Sequence, residues 1–84
     1  MPKSTVATVT TTAAIVVPQS IFHQTVWLHS SSGTIYIGDS DLTVANGYRL
    51  DNGDKITINV VDYQALYAIT NAGTATLYVL SQIN

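Results

Sequence analysis

Lys55-Ile56-Thr57-Ile58-Asn59-Val60 alternates polar and apolar side chains without a break. That period of two is what a half-buried β-strand imposes, because successive side chains leave opposite faces of a sheet. Ile56, Ile58 and Val60 fall on one side, Lys55, Thr57 and Asn59 on the other. Working outward, Gln24 to Ser30, Thr34 to Gly38, Asp54 to Val60, Gln64 to Thr70 and Thr74 to Ser81 are runs of strand length divided by turn residues. Their spacing of about ten residues is that of a sandwich or barrel. β-branched residues abound, Glu is absent and Leu is sparse, so strand formers dominate where helix formers would be needed. The expectation is an all-β chain: a small antiparallel β-sandwich, jelly-roll-like, over residues 23–84.

Residues 1–22 read differently. They are rich in Thr, Ala and Val, poor in aromatics, and stop near Pro18. The weak alternation of Thr5-Val6-Ala7-Thr8-Val9-Thr10 suits an extended arm or an edge strand. The expectation is an N-terminal arm, with Ile15, Val16 and Val17 as an apolar anchor on a neighbouring subunit and Pro18 marking the bend into the sandwich. Threonines interrupt this segment and no clear cleavage site follows, so a signal peptide is not expected. The longest apolar run, Ala13 to Pro18, is far short of the ~20 residues a spanning helix needs. No membrane span is expected.

Two hairpins can be registered. With Ser30-Ser31-Ser32-Gly33 as a loop, Leu28 stands opposite Ile35 and Trp27 opposite Tyr36. With Ala72-Gly73 at a tip, Tyr67 stands opposite Tyr78. Between the two hairpins, residues 38–53 hold two Asn-Gly dipeptides, which suit the positive φ angles of tight turns. This connection is expected to drop Leu42 and Leu50 into the core.

A local pattern recurs four times: Val26-Trp27-Leu28, Ile35-Tyr36-Ile37, Leu66-Tyr67-Ala68 and Leu77-Tyr78-Val79. One small sandwich has one core, so strands whose aliphatics fill it must turn their aromatics outward. Trp27, Tyr36, Tyr67 and Tyr78 are therefore the candidate interface residues.

The chain has 84 residues and a mass of 9.0 kDa, with three Lys or Arg, five acidic residues and 46% hydrophobic residues. At roughly 60% burial of its unfolded surface such a domain has a thin core. With no Cys, neither a disulfide nor a thiolate-bound metal can supplement it. So few charges suit a partner-dependent domain better than a free monomer. A net charge of -2 lacks the basic footprint that phosphate backbones require, so nucleic acid is not an expected partner.

Catalytic and metal chemistry find no foothold. His23 and His29 are six residues apart, roughly 20 Å in an extended strand, too far to share one metal. Asp39, Asp41, Asp51 and Asp54 fall in turn-like segments, where Asx turns explain them, and no EF-hand run is present. No Gly-x-Ser-x-Gly elbow, carboxylate pair in a cleft or phosphate-cradling glycine loop is recognisable. No enzyme, no cofactor and no metal are expected.

Thr34-Ile35-Tyr36-Ile37-Gly38-Asp39-Ser40, Val44-Ala45-Asn46-Gly47-Tyr48-Arg49-Leu50, Gly53-Asp54-Lys55-Ile56-Thr57-Ile58, Leu66-Tyr67-Ala68-Ile69 and the closing Gly73-Thr74-Ala75-Thr76-Leu77-Tyr78-Val79-Leu80 follow one another in order. As a set covering about residues 25–81 they resemble a pattern of small virion proteins of tailed bacteriophages. The resemblance implies a capsid decoration or cement protein, or a module of a head or tail fibre. It implies a virion location on the capsid surface, a homo-oligomer with a trimer favoured, and the major capsid protein as partner. The alternative is a carbohydrate-binding receptor-recognition module using Trp27 and the tyrosines as a stacking platform.

Overall fold

The structure, a computed structural model, describes residues 2–83. It consists of β1 (Pro2–Val9), β2 (Ala14–Val17), β3 (Gln24–Ser32), β4 (Ile35–Gly38), β5 (Tyr48–Leu50), β6 (Lys55–Val60), β7 (Leu66–Thr70) and β8 (Ala75–Ile83). Two antiparallel four-stranded sheets pack face to face, with strand orders β1-β8-β3-β6 and β2-β7-β4-β5. Every connection except β4 to β5 passes from one sheet to the other. That is a jelly-roll arrangement.

The period of two in the sequence becomes the packing of the core. Val26 and Leu28 of β3, Leu77 and Val79 of β8 and Val60 of β6 point inward from the first sheet. Ile35, Ile37, Leu50 and Ala68 meet them from the second. Ile56 and Ile58 also face inward but stay half-buried, because β6 is an edge strand. Two hydroxyls enter the core with partners: Ser30 Oγ donates to Gly33 O at 3.2 Å, and Thr70 Oγ1 donates to Thr34 O at 2.7 Å. Each bond removes the cost of burying a bare hydroxyl.

The arm expected over residues 1–22 is corrected. Residues 2–9 form β1, paired in unbroken register with β8 from Pro2↔Gln82 to Val9↔Ala75. Residues 14–17 form β2, paired with β7. Val9 and Val17 are each only 2% exposed and belong to the core, so no structural boundary falls at residue 22. Small side chains suffice here because each strand borrows its core from the sheet it joins.

Both expected hairpins are also corrected. β3 runs on through Ser32, pairing with Thr76 of β8 after an irregularity at Ser30/Ser32. Only Gly33 and Thr34 then remain, and Gly33, at φ 72°, turns the chain across to the other sheet. Gly73, at φ 63°, serves the crossing from β7 to β8. Hence Leu28 and Ile35 meet across the core and are not neighbours in a sheet. Trp27 stands opposite Thr57 and Leu80, not Tyr36. Tyr67 stands opposite Ile15 and Gly38, not Tyr78.

Leu50 is in the core as expected, whereas Leu42 is buried elsewhere. The 39–47 loop holds Leu42 against Gly38 and Gly47, outside the central cluster.

Candidate functional site

The outer face of the first sheet is built by the residues that alternate with its core positions. Strand register places Val6, Tyr78, His29 and Lys55 in one row, and Ser4, Leu80, Trp27 and Thr57 in the next. Trp27 is 37% exposed, Tyr78 45% and Val6 61%, with Leu80 open between them. The His29 and Tyr78 rings lie with centroids 6.2 Å apart, tilted by 39°, within the distance at which aromatic rings interact. Together these side chains line a shallow depression of about 580 Å³. Its lining is largely aromatic and aliphatic, and among the described residues Lys55, on the edge strand β6, is the one Lys, Arg or acidic side chain in it.

The four candidate aromatics do not gather in one place. Trp27 and Tyr78 share this face, whereas Tyr36 and Tyr67 lie half-buried on the outer face of the second sheet. There Tyr36 stands beside Arg49 and Ile69. Of the three expected anchor residues, Val17 fills the chain's own core and Val16 packs against it, so only Ile15 remains exposed. That corrects Val17 as an anchor: the side chain is already used inside the sandwich.

One end of the sandwich carries a second apolar cluster. Ile21, Phe22, Val61 and Tyr63 are all exposed in the loops between β2 and β3 and between β6 and β7. Tyr63 N–H donates to Ser20 O at 2.7 Å, and His23 Nε2 meets Asp62 Oδ1 at 3.1 Å, which ties the two loops together. Tyr63 has φ 64°, a left-handed conformation that costs a side-chain-bearing residue about 1 kcal/mol or more. This cluster carries no periodic signal, so sequence reasoning missed it. A Pro18-to-His23 stretch bearing two large apolar side chains without alternation was the available clue.

Titratable groups are scattered. His23 is at this end and His29 on the sheet face, and among the described residues no three His or acidic side chains converge on a metal position. Asp39 accepts from Ser40 N–H, and Asp54 from Asp51 N–H, both within turns. Arg49 donates to Asp51 at 2.7 Å on the surface. That bond, and the carboxylate's charge, raise the guanidinium pKa above its ordinary value. An exposed pair of this kind adds little stability.

No protein-family model matches the chain, and no curated protein matches it. Among solved structures it is similar to a chain described with Bacillus endospore appendages, which form a novel family of disulfide-linked pili. The TM-score is 0.64 over 99% of this chain and 85% of that one, at 16% identity. The likeness is one of fold: a small sandwich of two antiparallel sheets.

Proposed function

We propose that this chain is a non-catalytic structural subunit that assembles with copies of itself on the outside of a particle or cell. The observation that carries the reading is the apolar outer face of the first sheet. Trp27, Tyr78, Leu80 and Val6 stand exposed on it although the core is already filled by their neighbours in sequence. Aromatics on a nearly uncharged face contribute large contact area at little conformational cost, which favours burial against protein.

As the particular assembly we propose the capsid of a tailed phage, the chain acting as a decoration protein that bridges major capsid protein subunits, as a trimer. The ordered pattern over residues 25–81 supports this. A second reading, a subunit of a surface appendage, is favoured by the likeness to the pilus-forming chain. Without cysteine, these 84 residues would have to make such a fibre without disulfides.

The test is the mass of the purified protein at micromolar concentration, combined with its binding to emptied phage capsids. A trimer that binds capsids supports decoration, and long polymers without capsid binding support the appendage. A stable 9 kDa species that binds nothing removes the structural reading.

A further inference from the structure

The strand orders leave one edge open on each of β1 and β6 in the first sheet, and on β2 and β5 in the second. The second sheet's edges are poor templates: β5 has three residues, and β2 has four with a register irregularity between Ile15 and Val17. Short or irregular edges discourage further pairing. β1 and β6 are longer and regular.

The ladder fixes which main-chain groups these two edges present. Ser30 N–H donates to Asp54 O at 3.0 Å, one step beyond the His29↔Lys55 position of the β3–β6 register. Antiparallel positions alternate between bonded and non-bonded. Ile56, Ile58 and Val60 therefore bond to β3, while Lys55, Thr57 and Asn59 turn their N–H and C=O groups to the open side. The same alternation carried through β3 and β8 assigns Lys3, Thr5, Ala7 and Val9 to β8. It leaves Ser4, Val6 and Thr8 presenting theirs outward. Thr76 N–H, which donates to Ser32 Oγ, points to the β3 side as this scheme requires.

Three residues on one edge thus match three on the other, and the directions match too. Each neighbour in β1-β8-β3-β6 is antiparallel, so β1 and β6 run in opposite senses. A second copy displaced along the sheet, without being turned over, brings its β1 antiparallel to β6 and keeps both second sheets on the same side.

We propose that β6 receives β1 of a second copy of this chain, so that copies join head to tail through one continuous antiparallel sheet. Building on the self-assembly read above, this names the contact. The register pairs Asn59 with Ser4, Thr57 with Val6 and Lys55 with Thr8. A slip by two residues toward the N-terminus would set Pro2, which has no N–H, against Asn59. Inward-facing residues then alternate large and small, Ile58 beside Thr5 and Ile56 beside Ala7. Thr5 is among the residues lining a cleft of about 510 Å³ between β1, β2 and β8, and this register brings the half-buried Ile58 beside it. Outward-facing Val6 comes to lie one strand from Trp27 of the other copy, which extends the apolar face across the joint. Such a contact is heterologous and builds a ring or an open filament according to the rotation it carries.

Thr57→Pro removes an outward N–H and none that bonds β3. It is expected to fold as the wild type does and to lose assembly at least tenfold in concentration dependence. Because the chain has no cysteine, cross-linking gives an independent reading. Val6→Cys and Thr57→Cys variants, mixed and oxidised, should form the mixed disulfide dimer, and the doubly substituted chain a ladder beyond dimer. Homodimers of each single variant without the mixed species would show like edges pairing and overturn the proposal. So would a folded Thr57→Pro chain that assembles as wild type, or assembly with no cross-link at all. A wild-type chain that never exceeds one-subunit mass overturns self-assembly itself.

Discussion

Gly47 shows how tightly one residue can be held outside the main core. A Cβ there would lie 2.6 Å from Tyr36 Cβ and 2.7 Å from Leu42 Cδ1, while its N–H donates to Thr43 O. Neither neighbour can withdraw easily, since Leu42 is buried and Tyr36 Cβ is fixed to β4. Gly47→Ala is therefore expected to destabilise by about 1–3 kcal/mol, the usual cost of overpacking. Chemical denaturation of the purified variant measures it. The Asn-Gly pair marked this position as a turn, but the reason for glycine is the close approach of Tyr36 and Leu42, which a local motif does not record. Calcium offers a second check at this scale. The turn carboxylates of Asp39 and Asp54 already accept main-chain N–H groups, so adding calcium or chelator should leave the melting temperature unchanged. An ion that bound only the folded chain would raise it.

At the scale of elements, β1 decides how the chain divides. It contributes Val9 and Ala7 to the core and covers one edge of β8 along nearly its whole length. A domain with about 5–15 kcal/mol in reserve loses much of it when a strand is removed. Deleting residues 2–14 should abolish the cooperative thermal transition followed by circular dichroism. A truncated chain that still melts cooperatively near the wild-type temperature would restore the idea of a separable arm. The five alternating runs after residue 23 were legible because each pairs a dense apolar face with turn residues at its ends, Lys55 to Val60 most plainly. β1 and β2 were not: β1 alternates only weakly in Thr and Ala around its one buried valine, Val9, and the apolar run Ala13 to Val17 that holds β2 has no alternation to read. The partner of each strand was illegible for a different reason. Val26 and Leu28 against Ile35 and Ile37 is the same pattern whether the strands lie side by side or face each other, and only the length of β3 and the bend at Gly33 decide. The outward aromatics followed from alternation alone, but their division between two faces followed from those crossings.

For the whole molecule, the exposed face of the first sheet sets the expected solution behaviour. Light scattering at micromolar concentration should give a mass above 9 kDa. Tyr78→Ser should weaken association more than it lowers the melting temperature, since Tyr78 is 45% exposed and its neighbours Leu77 and Val79 hold the core. Tyr67→Ser, on the second sheet and half-buried beside Ile15 and Gly38, should do the reverse. Equal effects of both on association would put the contact on both faces.

The pairing of the first strand with the last also governs how the molecule comes into being. As the chain leaves the ribosome, β1 has no partner until β8 has emerged, and β3 gains one of its two neighbours only then. The first sheet therefore closes in a late step that joins sequence-distant segments, the kind of topology that folds slowly because loops must be closed before contacts reward them. Until that moment β1 and β3 both present bare strand edges. The polar Thr8, Thr10, Thr11 and Thr12 and the charged Lys3 lie in and beside β1, and a Lys on an exposed edge is the kind of residue that discourages stray pairing while the strand waits.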